Sequence, residues 1–314
     1  MLNIDRIRVF AGNAHPQLAK DICSHLGIPL GEALVERFPD GEINLRINCD
    51  VRGADVFVVQ PTCPPVNENL MELLSFMDCL RRASADRITA VMPYFGYARK
   101  DRKDEGRVPI TAKLVANLIT KAGADRALTV DLHAAQIQGF FDIPTDHLYA
   151  RPVIMEHVMA IGTENPVVVS PDVGGTKLAR AYAKSLHADI AIVDKRRISG
   201  DKVVVENVVG DVEGRDLFIV DDMVTTGGSI TDACRILKDK GGRKIYIMAT
   251  HAVLCGDAVN KLNNAPVEQI IFTDTIPPRQ NGVDRLKIAT VAPLLARAID
   301  RIHRSESVSH LFED

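Results

Sequence analysis

Leu217-Phe218-Ile219-Val220-Asp221-Asp222-Met223-Val224-Thr225-Thr226-Gly227-Gly228-Ser229 runs from an apolar strand through two adjacent acids into a hydroxyl- and glycine-rich turn, with a helical pattern behind it. A strand that ends in such a turn and then a helix is the building unit of parallel α/β folds. The same residues suggest chemistry. Gly227 and Gly228 let backbone N–H groups turn inward around a phosphate, the helix N-terminus adds the positive end of its dipole, and Thr225, Thr226 and Ser229 offer hydroxyl donors. Asp221 and Asp222, at the carboxyl end of the strand, stand where open parallel sheets bind ligands, and they can accept from ribose hydroxyls. The plainer alternative is an ordinary strand-to-helix turn with Ser229 as the N-cap.

Outward from this stretch, short β-branched runs alternate with longer segments of helical apolar spacing, the pattern of parallel strands joined by crossover helices. In the first half, strands are expected over Ile7–Phe10, Val56–Gln60, Ile88–Met92 and Ala127–Asp131, with helices near 16–26, 67–84 and 110–122. In the second, they are expected over Val167–Ser170, Ile190–Val193, Leu217–Val220, Lys244–Ala249 and Gln269–Phe272, with helices near 152–161, 175–187, 229–240 and 256–263. The shared rhythm predicts two similar α/β domains, 1–148 and 149–290, although no residue-level repeat marks a duplication. A last helix, Ala292–His303, and a polar tail complete a segment 291–314 expected to pack back toward the first domain.

Composition narrows the function classes. With 314 residues, of which 46% are hydrophobic, the chain can bury two cores. Its 38 basic and 41 acidic residues mix evenly to a net charge of −3. That leaves no global footprint for nucleic acid or an anionic membrane, so any anion is bound locally. Six cysteines at positions 23, 49, 63, 79, 234 and 255 form no CxxC pair, which argues against a disulfide framework or a structural zinc site. Charges interrupt the N-terminal segment, and no run of about 18 apolar residues occurs. A cytoplasmic enzyme or binding protein is the expectation.

The 217–229 stretch resembles the phosphoribosyl pyrophosphate motif of type I phosphoribosyltransferases and of the pyrophosphokinases that make their substrate. Two segments of the first half separate making from consuming. Phe38-Pro39-Asp40-Gly41-Glu42 and Tyr94-Phe95-Gly96-Tyr97-Ala98-Arg99-Lys100-Asp101-Arg102-Lys103 resemble the ATP-binding segments of the ribose-phosphate pyrophosphokinase family. Phe38 can stack on adenine, Asp40 and Glu42 can accept from its amino group, and Arg99 with Lys100 can hold phosphates. Taken singly, Asp40-Gly41 is also a tight turn and the basic run a solvated face. The family usually has Gln at the position of Lys100.

Further segments are similar to the same family. Asp131-Leu132-His133, which opens the stretch up to Pro144, implies that His133 binds the Mg2+ accompanying ATP, with Asp131 in support and Asp172 as a second ligand. Ser170-Pro171-Asp172-Val173-Gly174-Gly175-Thr176-Lys177 resembles the pyrophosphate loop, with Thr176 where a small residue is usual. Asp194-Lys195-Arg196-Arg197 resembles a basic flexible loop, which implies catalytic roles for Lys195 and Arg197. Asn48-Cys49-Asp50-Val51-Arg52-Gly53 is similar to a Glu-Ser-Val-Arg-Gly segment of phosphate-activated members, and Asp50 stands where that Ser would be.

The resemblance covers essentially the whole chain and implies two type I phosphoribosyltransferase-like domains, ATP segments in the first and a ribose 5-phosphate site in the second. It implies a homo-oligomer, a hexamer built from dimers with the ATP site at a subunit interface. The implied reaction moves the β,γ-pyrophosphoryl group of ATP to the 1-hydroxyl of ribose 5-phosphate. A phosphoribosyltransferase and a catalytically silent regulatory homologue are the competing readings, and Lys195, Arg197, Asp221 and Asp222 argue against the second.

Overall fold

The computed structural model describes residues 6–199, 202–278 and 282–311, with the side chains of 195–206 and 310 outside that description. It divides into two compact units. One runs to Tyr149 and resumes over Thr275–Pro277 and from Val291, and the other holds Ala150–Asp274 and Pro278–Thr290. The last helix therefore belongs to the first unit.

In the first unit, strands β1 (Ile7–Ala11), β4 (Asp55–Val59), β5 (Arg87–Met92), β6 (Arg126–Val130) and β7 (Thr145–Leu148) form a parallel sheet in that order. Strands β2 (Ala33–Arg37) and β3 (Ile43–Ile47) make a separate antiparallel hairpin. The helices are α1 (Pro16–Leu26), α2 (Val66–Arg82), α3 (Thr111–Ala122) and α8 (Ala292–His303). Strand side chains alternate between faces. Val56 and Val58 join a core with Leu73, Phe76, Met77 and Leu80 of α2 and Val115 and Ile119 of α3. Phe57 and Val59, equally buried, face the other way. On its outer side α1 packs on β1 and β4, and α8 packs on α1. A buried ionic knot fixes α8: Asp55 accepts from Arg87 Nε at 2.8 Å and pairs with His303 Nδ1 at 2.8 Å, and Arg87 also donates to the Ile302 carbonyl at 2.8 Å.

In the second unit, β8 (Pro166–Ser170), β9 (Asp189–Ser199), β10 (Lys202–Val209), β11 (Asp216–Val224), β12 (Lys244–Ala252), β13 (Gln269–Thr273) and β14 (Leu286–Ala289) form one sheet in the order β10-β9-β8-β11-β12-β13-β14. All neighbours are parallel except the antiparallel β9–β10 pair. Helices α4 (Arg151–Met159), α5 (Thr176–Leu186), α6 (Gly228–Asp239) and α7 (Ala258–Asn263) cover it. Ile230, Ala233, Cys234 and Leu237 of α6 close a core over Val167, Val169, Leu217 and Ile219.

Strand for strand, β1-β4-β5-β6-β7 and β8-β11-β12-β13-β14 have the same order and direction, each with an antiparallel excursion after its first strand. In the second unit that excursion stays in the sheet. In the first it has peeled away, leaving one backbone bond from Gly31 N–H to the Val9 carbonyl of β1 at 2.7 Å. One sequence expectation needs correction: the basic segment 194–197 is not a loop but lies within β9, paired with β10, with Lys195 opposite Val205 and Arg197 opposite Val203. No described helix is long and apolar enough to cross a membrane.

Candidate active site

In the second unit the chain leaves β8 through α5 toward β9 on one side, and β11 lies on the other, so the loops after β8 and β11 diverge at their carboxyl ends. Such a reversal of strand order opens the crevice in which α/β sheets bind ligands. The sequence-selected residues 170–176 and 221–229 are those two loops. Strand β11 runs to Val224, beyond the expected Val220, and holds Asp221 opposite Ala249 of β12, with Asp222 next along the strand. Two backbone bonds then anchor the turn, Leu254 N–H to the Val224 carbonyl at 3.0 Å and Cys255 N–H to the Thr225 carbonyl at 2.8 Å. Gly227 sits at the N-cap of α6 with φ +73, a left-handed conformation that favours glycine. Ser229 is therefore inside the first turn and not the N-cap, exposed beside the free end of the helix dipole, with Thr226 also exposed.

The two acids are not equivalent to surface carboxylates. Burial, then the charge of neighbouring Asp222, pushes the Asp221 carboxyl up to about 8, and Asp172 from the other loop adds to the effect. The Asp222 N–H donates to Asp221 Oδ1 at 2.9 Å. A set of carboxyl groups held in mutual repulsion is relieved by hydroxyl donors or by a cation. Asp172 itself bends the loop ahead of α5, its Oδ1 accepting from the Gly175 N–H at 2.9 Å, and its carbonyl accepts from the Ser170 hydroxyl at 2.7 Å. A Cβ on Gly175 would come within 2.7 Å of Ser170 Oγ, so the close approach of this loop needs glycine there. Gly174 stands exposed beside it.

In the first unit, Phe38–Glu42 is the tip of the β2–β3 hairpin. Phe38 N–H donates to the Glu42 carbonyl at 2.8 Å, Glu42 N–H donates to Asp40 Oδ1 at 3.0 Å, and Gly41 turns the chain with φ +93. Phe38 stands 48% exposed, a large aromatic ring presented to solvent. The segment 94–103 follows β5. Tyr94, Phe95 and Ala98 are buried, while Arg99, Lys100 and Arg102 are exposed. Gly96 permits the fold of this turn, because a Cβ there would meet the Thr62 carbonyl at 2.5 Å. Asp101 accepts from Gln136 at 2.9 Å. Asp131, buried at the end of β6, has φ +39, a strained conformation for a non-glycine residue of the kind found at functional sites, and exposed His133 follows two residues later.

Among the described residues no group of three or more His, Cys, Asp or Glu side chains is arranged to hold a metal alone. Mg2+ is typically held by one or two carboxylates together with substrate phosphates and waters. Exposed Asp172 in one unit, and exposed His133 beside buried Asp131 in the other, each offer the one or two donors that such a shared ion takes from the protein. Lys195 and Arg197 are placed by backbone register only, since their side chains lie outside the described residues. Three further residues that no sequence pattern singles out, Asn13, Gln60 and Glu72, bond to one another at the carboxyl ends of β1 and β4. In topology these ends correspond to the ends of β8 and β11 that carry the two ligand loops.

Comparison with known proteins agrees with this geometry. The family described as the N-terminal domain of ribose phosphate pyrophosphokinase matches residues 7–123, and a phosphoribosyl synthetase-associated domain matches residues 197–313. A Rhodopirellula baltica relative named ribose-phosphate pyrophosphokinase is 54% identical over 312 residues, spanning 98% of this chain and 99% of the relative. One of the same name from Neisseria meningitidis serogroup A is 50% identical over 317 residues, spanning 100% of this chain and 97% of the relative. A crystal structure of phosphoribosylpyrophosphate synthetase from Mycobacterium smegmatis superimposes with a TM-score of 0.91 at 40% identity, over 96% of this chain and 99% of that one. By sequence along its whole length and by fold, the chain belongs to the ribose-phosphate pyrophosphokinase family.

Proposed function

We propose that the enzyme transfers the β,γ-pyrophosphoryl group of ATP to ribose 5-phosphate through the residues assembled above. The observation that carries the reading is the β11–α6 connection, in which a half-buried acid pair leads directly into an open, glycine-capped helix N-terminus. Asp221 and Asp222 accept from the ribose hydroxyls. The N–H groups of Gly227, Gly228 and Ser229 and the hydroxyls of Thr225, Thr226 and Ser229 take the 5-phosphate. Gly174 and Gly175 offer backbone donors to the pyrophosphoryl group. Phe38 stacks on adenine, Asp40 and Glu42 accept from its amino group, Gly41 keeps the tip tight, and Arg99, Lys100 and Asp101 line the triphosphate.

The sugar 1-hydroxyl oxygen attacks the β-phosphorus, the bond from that phosphorus to the α,β-bridging oxygen breaks, AMP leaves with that oxygen, and the hydroxyl proton passes to solvent. Little covalent help is needed, so catalysis is positioning and charge stabilisation. Lys195 and Arg197 stabilise the charge that develops on the bridging oxygen. Asp172 in its unit, and His133 with Asp131 behind it in the other, are the residues that would hold Mg2+, which neutralises phosphate charge when bound. The exposed Phe38 tip suits a homo-oligomer, a hexamer built from dimers, in which one subunit completes another's ATP site. Six free cysteines suit a reducing cytoplasm.

The test is turnover with ATP, ribose 5-phosphate and Mg2+ and no nucleobase. Equal amounts of AMP and phosphoribosyl pyrophosphate are expected. Accumulation of ADP, or a requirement for a nucleobase, would overturn the assignment in favour of a kinase or a phosphoribosyltransferase.

A further inference from the structure

Glu72, in the second turn of α2, is only 2% exposed, and no lysine or arginine among the described residues pairs with it. It acts purely as an acceptor. Oε1 takes the Asn13 backbone N–H at 2.5 Å and Gln60 Nε2 at 2.9 Å, and Oε2 takes Asn13 Nδ2 at 3.2 Å. Gln60 Oε1 in turn accepts the Ala14 N–H at 3.1 Å. The loop is cut to fit this group, because a Cβ on Gly12 would fall 2.2 Å from Gln60 Oε1 and 2.8 Å from Glu72 Oε1. Burying a carboxyl group away from any cation is costly unless hydrogen bonds compensate, so the arrangement calls for an explanation beyond filling a core.

The explanation lies in the second hydrogen of the Asn13 amide. Asn13 Nδ2 also donates to the Val35 carbonyl of β2 at 3.2 Å. An amide nitrogen has two hydrogens and its oxygen has none. With Glu72 Oε2 holding one hydrogen, the other must point at β2. Without that acceptor the amide is free to turn, and its oxygen would then face the Val35 carbonyl. Three residues beyond Val35 is Phe38. A second polar tie to the hairpin among the described residues, Arg37 to Glu68 at 2.5 Å, is about half exposed on both sides and contributes little in water.

We propose that Glu72 is a positioning residue for the nucleotide: acting through Asn13, it sets where the β2–β3 hairpin presents Phe38, Asp40 and Glu42. The proposal rests on the reading of that hairpin tip as the adenine contact. It also accounts for the divergence of the two units. At the strand ends where the second unit offers open loops to ligand, the first fills the equivalent place with its own side chains and uses them to aim a hairpin.

Glu72→Gln tests this, because it keeps the shape but sets an N–H donor against the Asn13 donors. KM for ATP is expected to rise about tenfold, as for a misaligned binding group, while kcat and KM for ribose 5-phosphate stay within about twofold. Asn13→Ala should reproduce the effect, and the double variant should be no worse than either single one, since both break one linkage. The chain has no tryptophan, so Phe38→Trp places a single reporter on the tip, and its fluorescence anisotropy should fall when Glu72→Gln is added. Phe38→Ala is the reference for the adenine reading. If it raises KM for ATP while Glu72→Gln and Asn13→Ala do not, the positioning role is wrong. If Phe38→Ala leaves KM for ATP unchanged, the adenine reading falls and this proposal with it. A rise of both KM values together in the Glu72→Gln or Asn13→Ala enzyme also overturns the proposal, by making the network a general scaffold. Should Glu72→Gln fail to fold, Asn13→Ala decides by the same criteria.

Discussion

Asp221 shows how a residue readable in the sequence acquires a property that only the fold supplies. Two acids at the end of an apolar run are visible in the chain. What is not visible is that burial first, and Asp222 next, push the Asp221 carboxyl from its ordinary 3.8 to about 8. A carboxyl group whose proton is held more tightly in the fold than in the unfolded chain favours the fold fully below about pH 4, and that contribution is lost as pH rises through about 8. Asp221→Asn removes this dependence. In the absence of ligands and Mg2+, the unfolding temperature of the variant is expected to gain steadily on that of the wild type between pH 4 and pH 8, and then to hold its gain. Turnover should fall steeply at every pH. Parallel unfolding temperatures across that range would show that Asp221 is not held protonated by its surroundings. Glu72 is the opposite case. A glutamate in an amphipathic helix reads as solvent-facing, and only the approach of Gly12 and Gln60 reveals it as buried.

At the scale of elements, legibility follows burial. Helix α1 matches its expected span of 16–26 because Pro16 opens it, Gly27 caps it in the left-handed conformation, and Leu18, Ala19 and Ile22 give it an apolar stripe. The buried strands β4, β5, β8 and β11 announce themselves by β-branched runs. The hairpin β2–β3 does not, since Glu36, Arg37, Asn44 and Arg46 interrupt it and much of it is solvated. Edge strands β7 and β14, four residues each, are too short to register. The loop expected at the basic segment of β9 rests on resemblance, whereas the partner strand β10 carries a β-branched signal in Val203–Val205 and Val208–Val209. That hairpin carries the second prediction. Lys195→Ala and Arg197→Ala should each lower kcat about 10²–10³-fold while substrate KM values move much less, as when a group that acts on the transition state is removed. A raised KM with unchanged kcat would assign the strand pair to binding. A third prediction concerns Asp50, which lines a cavity of about 350 Å³ with Arg46, Arg52, Cys49 and Cys79. Its Oδ1 accepts the Arg52 backbone N–H at 3.0 Å, while the Arg52 guanidinium pairs with no carboxylate among the described residues. The cation remains available, but the carboxyl group beside it repels anions. Activation by inorganic phosphate is expected to be weak in the wild type and to appear in Asp50→Ser, measured across a phosphate titration at fixed ionic strength. Strong activation of the wild type would contradict this.

At the scale of the molecule, the expectation of two similar α/β domains rests on rhythm alone, and the structure supplies the reason that no residue repeat accompanies it. The two sheets share strand order, but the loops at their carboxyl ends have taken different work, Asp221–Ser229 and Ser170–Thr176 in one unit and Gly12–Ala14 with Gln60 in the other. A strand order shared between two sheets whose loops differ leaves little for sequence comparison to find. The return of the last helix to the first unit is expected from the sequence, but its anchor is hidden, because the contact of His303 with Asp55 spans 248 residues and depends on an ionic knot that no local pattern signals. The central claim is that the bond broken lies between the α and β phosphates of ATP and that the β-phosphorus leaves with the sugar. It is tested most directly by ATP carrying a radiolabel at the β-phosphate, incubated with ribose 5-phosphate and Mg2+. The label is expected to move wholly into the sugar product while AMP stays unlabelled. Label retained in ADP, with only the γ-phosphate transferred, would contradict the account.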